Sequence, residues 1–479
     1  MTTWFNSLLG ELSNFLYTYI LIALLVVTGL YFTLRTKAVQ FRLFPEAIRV
    51  LGEKKKDGKD ISSFQALMIS TASRVGTGNI AGVATAIATA TAVGGYGAVF
   101  WMWLLALVGA ASAFIESTLA QCYKEKHGED WVGGPAYYIQ KALGSRKWGV
   151  VFAVLLIACF AYGFNALQAF NAGTSLKYYI PNYADSVWPL VVGGILAALT
   201  AVSIFGGVRR ISAITSGLVP VMAAVYIALG LFITVKNIGQ VPAMLSMIFQ
   251  QAFDPKAMFA GLGASCIMQG VKRGLYSNEA GMGSAPNAAA AADVSHPVKQ
   301  GLVQMLSVFI DTILICSTTA FMLLLSGVPI DPSVKDMGYV QTAVLNQVGE
   351  FGPFFITVSI FLFAFSSLVG NYYYTETNFK FIRDSQRGLT LFRVTCVAAV
   401  FLGAQMDFST VWNLADVLMG LMALVNLVAI LLLGNQALRV LRDYTEQRRA
   451  GKNPVYRASE VGVGDPEIWN EEHARKWEE

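Results

Sequence analysis

The chain has 479 residues, 55% hydrophobic, 12% aromatic and 14% charged, with a formal net charge of +5. A mean hydropathy of +0.53 places it with polytopic membrane proteins and excludes an ordinary soluble domain. The positive excess is small and sits mostly in the connections between apolar segments, so it does not argue for nucleic acid.

A bilayer core about 30 Å thick needs roughly 20 apolar residues per helical crossing. Segments of that kind fall at 15–34, 62–90, 97–122, 148–180, 187–206, 211–235, 256–276, 299–326, 352–378, 388–405 and 410–436, which predicts about eleven spans. The first, FLYTYILIALLVVTGLYFTL, lacks a basic leader and a small-residue cleavage site, so it reads as a retained helix with the mature chain beginning near Met1. After it come Arg35, Lys37, Arg42, Arg49, Lys54, Lys55, Lys56 and Lys59, whereas the next connection, TAVGGYG, has no charge. The bias alternates onward: Lys124 to Lys147, Arg209 with Arg210, and Lys380 to Arg387 on one side, PNYADSV and the 327–351 loop on the other. The positive-inside rule then predicts an outside N-terminus and a cytoplasmic C-terminus, and the chain reads as a multi-pass protein of a cell membrane, bacterial-type plasma or inner. The polar end from Arg449 to Glu479 reads as a loosely ordered appendage.

Cys122, Cys159, Cys266, Cys316 and Cys396 show no CxxC spacing and read as apolar fillers. His127, His296 and His473 fall in connections or the tail, which leaves no zinc signature and no intramembrane histidine relay. The aromatic run Phe100 to Trp103 reads as an interfacial belt.

The second span contains SRVGTGNIAG, in which an arginine, an asparagine and three glycines interrupt an apolar helix. GTGNIA matches a dinucleotide fingerprint literally but lacks the preceding strand and the acidic residue about 20 positions on. Gly78 and Gly82 form a small-xxx-small pair suited to helix packing. Packing does not account for Arg74, Gly76, Thr77 and Asn79 together, because polar groups at membrane depth are kept for a site or a partner. The segment therefore predicts a helix unwound at the midplane, where freed backbone groups meet a ligand. The seventh span, GLGASCIMQGVKRGLYSNEAGMGSAPNAAAAA, is interrupted in the same way. Five spans separate the two, so the halves are inverted, the arrangement that marks a secondary transporter's central site. The chain accordingly divides into a peripheral helix with its basic loop (1–60), a first five-helix repeat (61–254), a second, inverted repeat (255–438) and a tail (439–479).

SRVGTGNIAGVA, GAVFWMW, GGPAYYI and QGVKRGLYSNEAGMGSAPNAAAAA closely resemble the alanine or glycine:cation symporter family, over about residues 15–440. The resemblance implies an all-α membrane protein of eleven helices, a leucine-transporter-like core of five-plus-five inverted repeats after one extra helix. It further implies sodium-coupled import of a small neutral amino acid, with sodium as the coupling ion, no other cofactor or metal, and no protein partner. Carried across on matching motifs, it assigns the carbonyls of Ala72 and Val75 to sodium and the backbone near Thr77, Gly78 and Asn79 to substrate. FLFAFSSLVGN supplies Ser366, Ser367 and the Phe363 carbonyl to the ion. AYGFNALQAFNAG supplies Gln168 and Phe164 to substrate, although its Phe170-Asn171 departs from the small polar pair expected there. Ile267, Met268, Gln269 and Gly270 are nominated as wall and break of the seventh span.

Glu116, Asp311, Arg74, Arg273 and Glu279 remain as intramembrane charges, and opposite signs in comparable number predict internal ion pairs or gates, with Arg74 as gate candidate. A membrane enzyme would need a convergent acid, base or nucleophile set, which is missing. The alternatives kept open are proton coupling, a larger glutamine-like substrate, and a non-transporting amino acid sensor on the same fold.

Overall fold

Among the described residues of the computed structural model, seven helices are long and apolar enough to cross a bilayer: Trp4–Arg35, Gly97–Cys122, Arg146–Tyr178, Arg210–Lys236, Pro297–Leu324, Phe351–Ile382 and Phe408–Arg449. Residues 2–53, 61–90, 95–128, 130–259, 265–329 and 337–478 are described. Lys54, Lys55, Lys56, Lys59, Gly261, Gly263, part of the 327–351 loop and the side chain of Arg209 lie outside them. The shorter helices Trp188–Ile204 and Gln386–Gly403 and two interrupted segments complete eleven spans. The second span comprises Ser63–Arg74, a tight turn at Thr77–Asn79 and Ala81–Thr89; the seventh comprises Cys266–Asn278 and Ala285–Ala291.

The two interrupted spans run in opposite directions. Ile61, before the second, forms a parallel bridge with Ala292, after the seventh, and Asp293 N–H donates to Ile61 O at 2.9 Å. The beginning of one therefore meets the end of the other at the face that carries Arg49 and Lys299. The result is the leucine-transporter-like inverted repeat, with the first span packed outside it against the third and last spans.

Both interruptions have local causes. Ser62 caps the second span through a reciprocal pair with Gln65, and the helix stops where Val75 leaves helical geometry and Gly76 turns extended. The seventh does not break at Gly270 as its sequence predicts: Ile267, Met268, Gln269 and Gly270 lie in unbroken helix. Gly270 is there for packing, since a Cβ would come within 2.5 Å of Ala98 O on the third span. The break is at 279–284, where Glu279, Gly281 and Gly283 take φ of 54°, 83° and 84°, a left-handed backbone that glycine tolerates and a helix does not.

The tail differs from its expected looseness. The last helix has 42 residues, about 63 Å at 1.5 Å per residue, so it leaves the bilayer well before Arg449 and carries the polar end with it. Beyond it the chain folds back over the same face. Tyr456 N–H donates to Ser295 O at 2.9 Å, Asp465 N–H to Cys122 O at 3.0 Å, and the fully buried Trp469 donates its indole N–H to Gln121 O at 3.0 Å. His296 sits between the rings of Tyr444 and Tyr456 and against Asp443, and burial holds its imidazole down at about 4. Truncating a buried indole costs about 3–5 kcal/mol. Trp469→Ala is therefore expected to lower the melting temperature of the purified protein clearly, whereas truncation of the exposed Trp148 should leave it nearly unchanged.

Candidate functional site

The unwound segment of the second span packs against the fourth, seventh, eighth and ninth spans. At its first edge the helix Ser63–Arg74 ends, and its final carbonyls have no partner within the helix. They converge on one hydroxyl from the ninth span: Ser367 Oγ lies 3.0 Å from Ala72 O, 3.1 Å from Ser73 O and 3.5 Å from Val75 O. One hydroxyl has one proton, so at least two of the three carbonyls keep lone pairs facing the same point. Ser366 Oγ donates to Phe363 O at 2.9 Å on the neighbouring turn. Gly370 allows this approach, because a Cβ there would lie 2.6 Å from Ser73 N.

At the other edge Thr77 N–H donates to Gln168 Oε1 at 2.9 Å, and Gln168 Nε2 donates to the Tyr276 hydroxyl at 3.1 Å. Asn171 Nδ2 donates to Thr77 Oγ1 at 2.8 Å, while its Oδ1 has no partner among the described residues. The fourth span widens into a π-helical turn at Ala158–Phe164 just before these residues, which re-aims the face holding Gln168. Tyr276 forms the wall with Phe164 and Trp412, at ring separations of 4.7 and 5.5 Å. Gly78 keeps the opposing surface clear, since a Cβ would lie 2.5 Å from the Tyr276 ring. Asn79 holds the turn together: its Oδ1 accepts from Gly76 N–H at 2.9 Å, and its Nδ2 reaches Ser277 Oγ at 2.9 Å and Asp311 Oδ1 at 2.7 Å.

Gly76 belongs to both edges. A Cβ on it would fall 2.3 Å from Ser367 Oγ and 2.7 Å from Gln168 Nε2.

No ion pair joins the five intramembrane charges to one another among the described residues. Arg273 instead pairs with Asp416 of the last span, its Nη2 lying 2.6 and 2.5 Å from the two carboxylate oxygens, with the guanidinium over Trp412 at 4.4 Å. Lys272 Nζ stands 3.7 Å from the same carboxylate. Glu116 accepts the freed amides of Gly281 at 3.2 Å and Gly283 at 3.1 Å and the Asn426 amide at 2.7 Å. Glu279 accepts from Ser73 and Ser284 at 2.9 and 2.6 Å, and Asp311 from Ser277 and Thr312 at 2.5 and 3.1 Å. Arg74 is 1% exposed, donates once to Gln304 O at 3.3 Å, and is the common electrostatic neighbour of Glu116, Glu279 and Asp311.

The structure thus brings Ser367 onto Ala72 and Val75, leaves Ser366 bonded to Phe363 O within the ninth span, and sets Thr77, Gly78, Asn79, Phe164 and Gln168 beside them. It does not bring in Ile267–Gly270, which lie about 9–14 Å back along the helix from Tyr276. Sequence reasoning missed Tyr276, Trp412 and Asp416. Asp416, a lone acid inside an apolar span, was the signal available for the last of these.

An interrupted inverted repeat around a closed polar centre defines a membrane transporter. Residues 1–458 match the model of the sodium:alanine symporter family, and the chain belongs to that family. It is 48% identical to the amino-acid carrier protein AlsT of Bacillus subtilis, over 98% of this chain and 99% of that protein. It is 44% identical to the probable sodium/glutamine symporter GlnT of the same organism, over 94% and 92%. Among solved structures, a manganese transporter of Eremococcus coleocola superposes with a TM-score of 0.52 at 13% identity, over 86% of this chain and 92% of that one, a likeness of fold.

The glycine geometry has a direct consequence. Gly76→Ala is expected to abolish substrate uptake at undiminished membrane expression, because its methyl collides with both Ser367 and Gln168. Gly82→Ala, whose Cβ would meet nothing closer than 3.8 Å, is expected to keep near wild-type uptake.

Proposed function

We propose that this protein imports a small neutral amino acid, alanine or glycine, by sodium-coupled symport, with the basic face cytoplasmic. The observation that carries this reading is the double contact at Gly76. The carbonyl cluster of Ala72, Ser73 and Val75 and the amide-binding edge at Thr77 and Gln168 meet at one residue, so occupancy of one edge fixes the backbone of the other.

The ion is a sodium held by the carbonyls of Ala72, Val75 and Phe363 and the hydroxyls of Ser366 and Ser367. Sodium is a hard cation suited to oxygen ligands, and the carbonyls of Ala72 and Val75 stand at the negative end of the helix Ser63–Arg74. The amino acid lies against the unwound backbone at Thr77, Gly78 and Asn79, with Gln168 turning from Thr77 to the substrate and Tyr276, Phe164 and Trp412 closing over its side chain. The Arg273–Asp416 pair beyond Trp412 acts as the outer gate. Each sodium entering down 100 mV contributes about 2.3 kcal/mol to accumulation. A larger substrate of glutamine type is the second reading, favoured by the similarity to GlnT and by the unpartnered Asn171 Oδ1, which would accept from a side-chain amide.

Proteoliposomes loaded against sodium, potassium or proton gradients and given labelled alanine, glycine or glutamine test both readings. Accumulation of alanine or glycine driven by sodium alone is expected. Accumulation driven only by protons, or of glutamine alone, would replace the present reading, and binding without flux would make the protein a sensor. Ser367→Ala is expected to raise the sodium concentration for half-maximal uptake severalfold. Gln168→Ala should weaken substrate apparent affinity about tenfold, the worth of one hydrogen bond to a charged group.

A further inference from the structure

The helix Ser63–Arg74 carries the carbonyl cluster at one end and begins at the basic face, 12 residues or about 18 Å away. Its beginning is fixed to one short stretch, residues 292–300, between the seventh and eighth spans. Ile61 is bridged to Ala292 and accepts the Asp293 amide at 2.9 Å. Ser63 Oγ accepts from Gln300 Nε2 at 3.0 Å, and Glu53, ahead of the span, pairs with Lys299 at 2.7 Å.

The tail holds the same stretch from the other side. Lys476 Nζ donates to Asp293 Oδ2 at 2.8 Å, Lys299 Nζ donates to Asn453 Oδ1 at 3.0 Å, and Ser295 bonds both Tyr456 N–H and Pro454 O. Trp469 acts through the third span and the residues just after it. Its indole donates to Gln121 O and its ring lies 4.8 Å from Lys124 Nζ, while Gln121 Nε2 and Lys124 Nζ both donate to Ala292 O, at 2.9 and 3.2 Å. Asp293 and Lys299 therefore each carry one bond towards the entry of the second span and one to the tail.

Asp293 decides what the tail does there. Its side chain is 3% exposed, and Lys476 is the cation bonded to it among the described residues. A buried carboxylate that loses its paired cation is strongly unfavourable until it reaches water. Loss of Lys476 thus penalises the arrangement in which Asp293 is held against Ile61, and spares one in which the two have parted. That parting is the step the first half of the second span must take to leave residues 292–300 and open a path from the carbonyl cluster to the basic face. We propose that Lys476, acting through Asp293, is a positioning residue that holds the second span's first half closed, which makes the tail a latch on the release side of the central site. The word release rests on the function proposed above; the latch rests on the bonds.

The test uses the full chain in lipid nanodiscs, where both faces meet solvent, with Ala66→Cys as the reporter. Ala66 is fully buried on the helix Ser63–Arg74, and the five native cysteines are buried, so reaction with a hydrophilic maleimide reads opening at this end. Labelling is expected to run about tenfold faster when Lys476→Gln is added, the shift in closed population that one lost ion pair can bring. It should return to the parent rate in Lys476→Arg and stay there in Arg475→Gln, which removes the same charge from the exposed neighbouring position. An unchanged rate in Lys476→Gln, or an equal rise in Arg475→Gln, would overturn the proposal. So would a rise that Lys476→Arg fails to reverse and that comes with a fall in melting temperature as large as that of Trp469→Ala, since the tail would then be packing alone. If Lys476→Gln yields no folded protein, Asn453→Ala, at the exposed partner of Lys299, carries the same comparison. Labelling needs neither substrate nor gradient, so its failure strikes the latch alone, and absence of sodium-driven uptake strikes the proposed function alone.

Discussion

A backbone amide or carbonyl freed inside a bilayer has no water to turn to, and leaving it unpaired costs several kcal/mol. Two helices of this protein are broken at membrane depth, and much of the polar content of the other spans answers that debt. At the seventh-span break Glu116 reaches across from the third span to take the amides of Gly281 and Gly283, and Asn426 of the last span joins it. Tyr138 holds Asn426 at 2.5 Å in turn. At the second-span break the turn closes on itself through Asn79 and is braced by Ser277, Asp311 and Thr319.

The two breaks are not satisfied to the same degree, and the difference separates scaffold from site. In the seventh span two amides meet a carboxylate with two oxygens, so supply matches demand. In the second span three carbonyls share one serine proton, and Thr77 N–H is met by a side chain that is free to leave it. Unspent acceptors on one side of Gly76 and a releasable donor on the other suit a cation and a carboxylate respectively. Under the proposed function coupling needs no long-range wire, since both ligands would act on the same few backbone bonds.

Much of this was legible in the sequence because membrane composition is restrictive. Apolar segment lengths placed the eleven spans, and the cluster Arg74, Gly76, Thr77 and Asn79 marked the first break. The second break was misplaced because glycine has two uses that look alike in sequence. Gly270 lets the third span approach, whereas Gly281 and Gly283 supply positive φ, and only the neighbours distinguish them. The tail misled for a related reason: its composition is that of a solvated segment, yet Tyr456, Val463 and Trp469 are spaced to fill a depression made by distant loops. Tyr276 and Trp412 were illegible because aromatic residues in spans are ordinary, and what sets them apart is that Tyr276 faces Gly78 and that the two rings face each other.

The charges around the centre complete the argument. Arg273 has a fixed partner, Asp416, and their contact with Trp412 makes one compact layer on one side of the site. Arg74, on the other side, has no fixed acidic partner and leaves two of its nitrogens unbonded among the described residues, while three carboxyl groups share its field. It also ends the helix whose carbonyls crowd Ser367, so a cation arriving there lies close to the same guanidinium and would be repelled by it alone. The carboxyl groups of Glu116, Glu279 and Asp311 outnumber that one arginine and can offset a second positive charge. Where those carboxyl groups are ionised, an interior with more acid than fixed base is costly when empty, and under the proposed function a cation relieves it at the helix end where the backbone already offers oxygen.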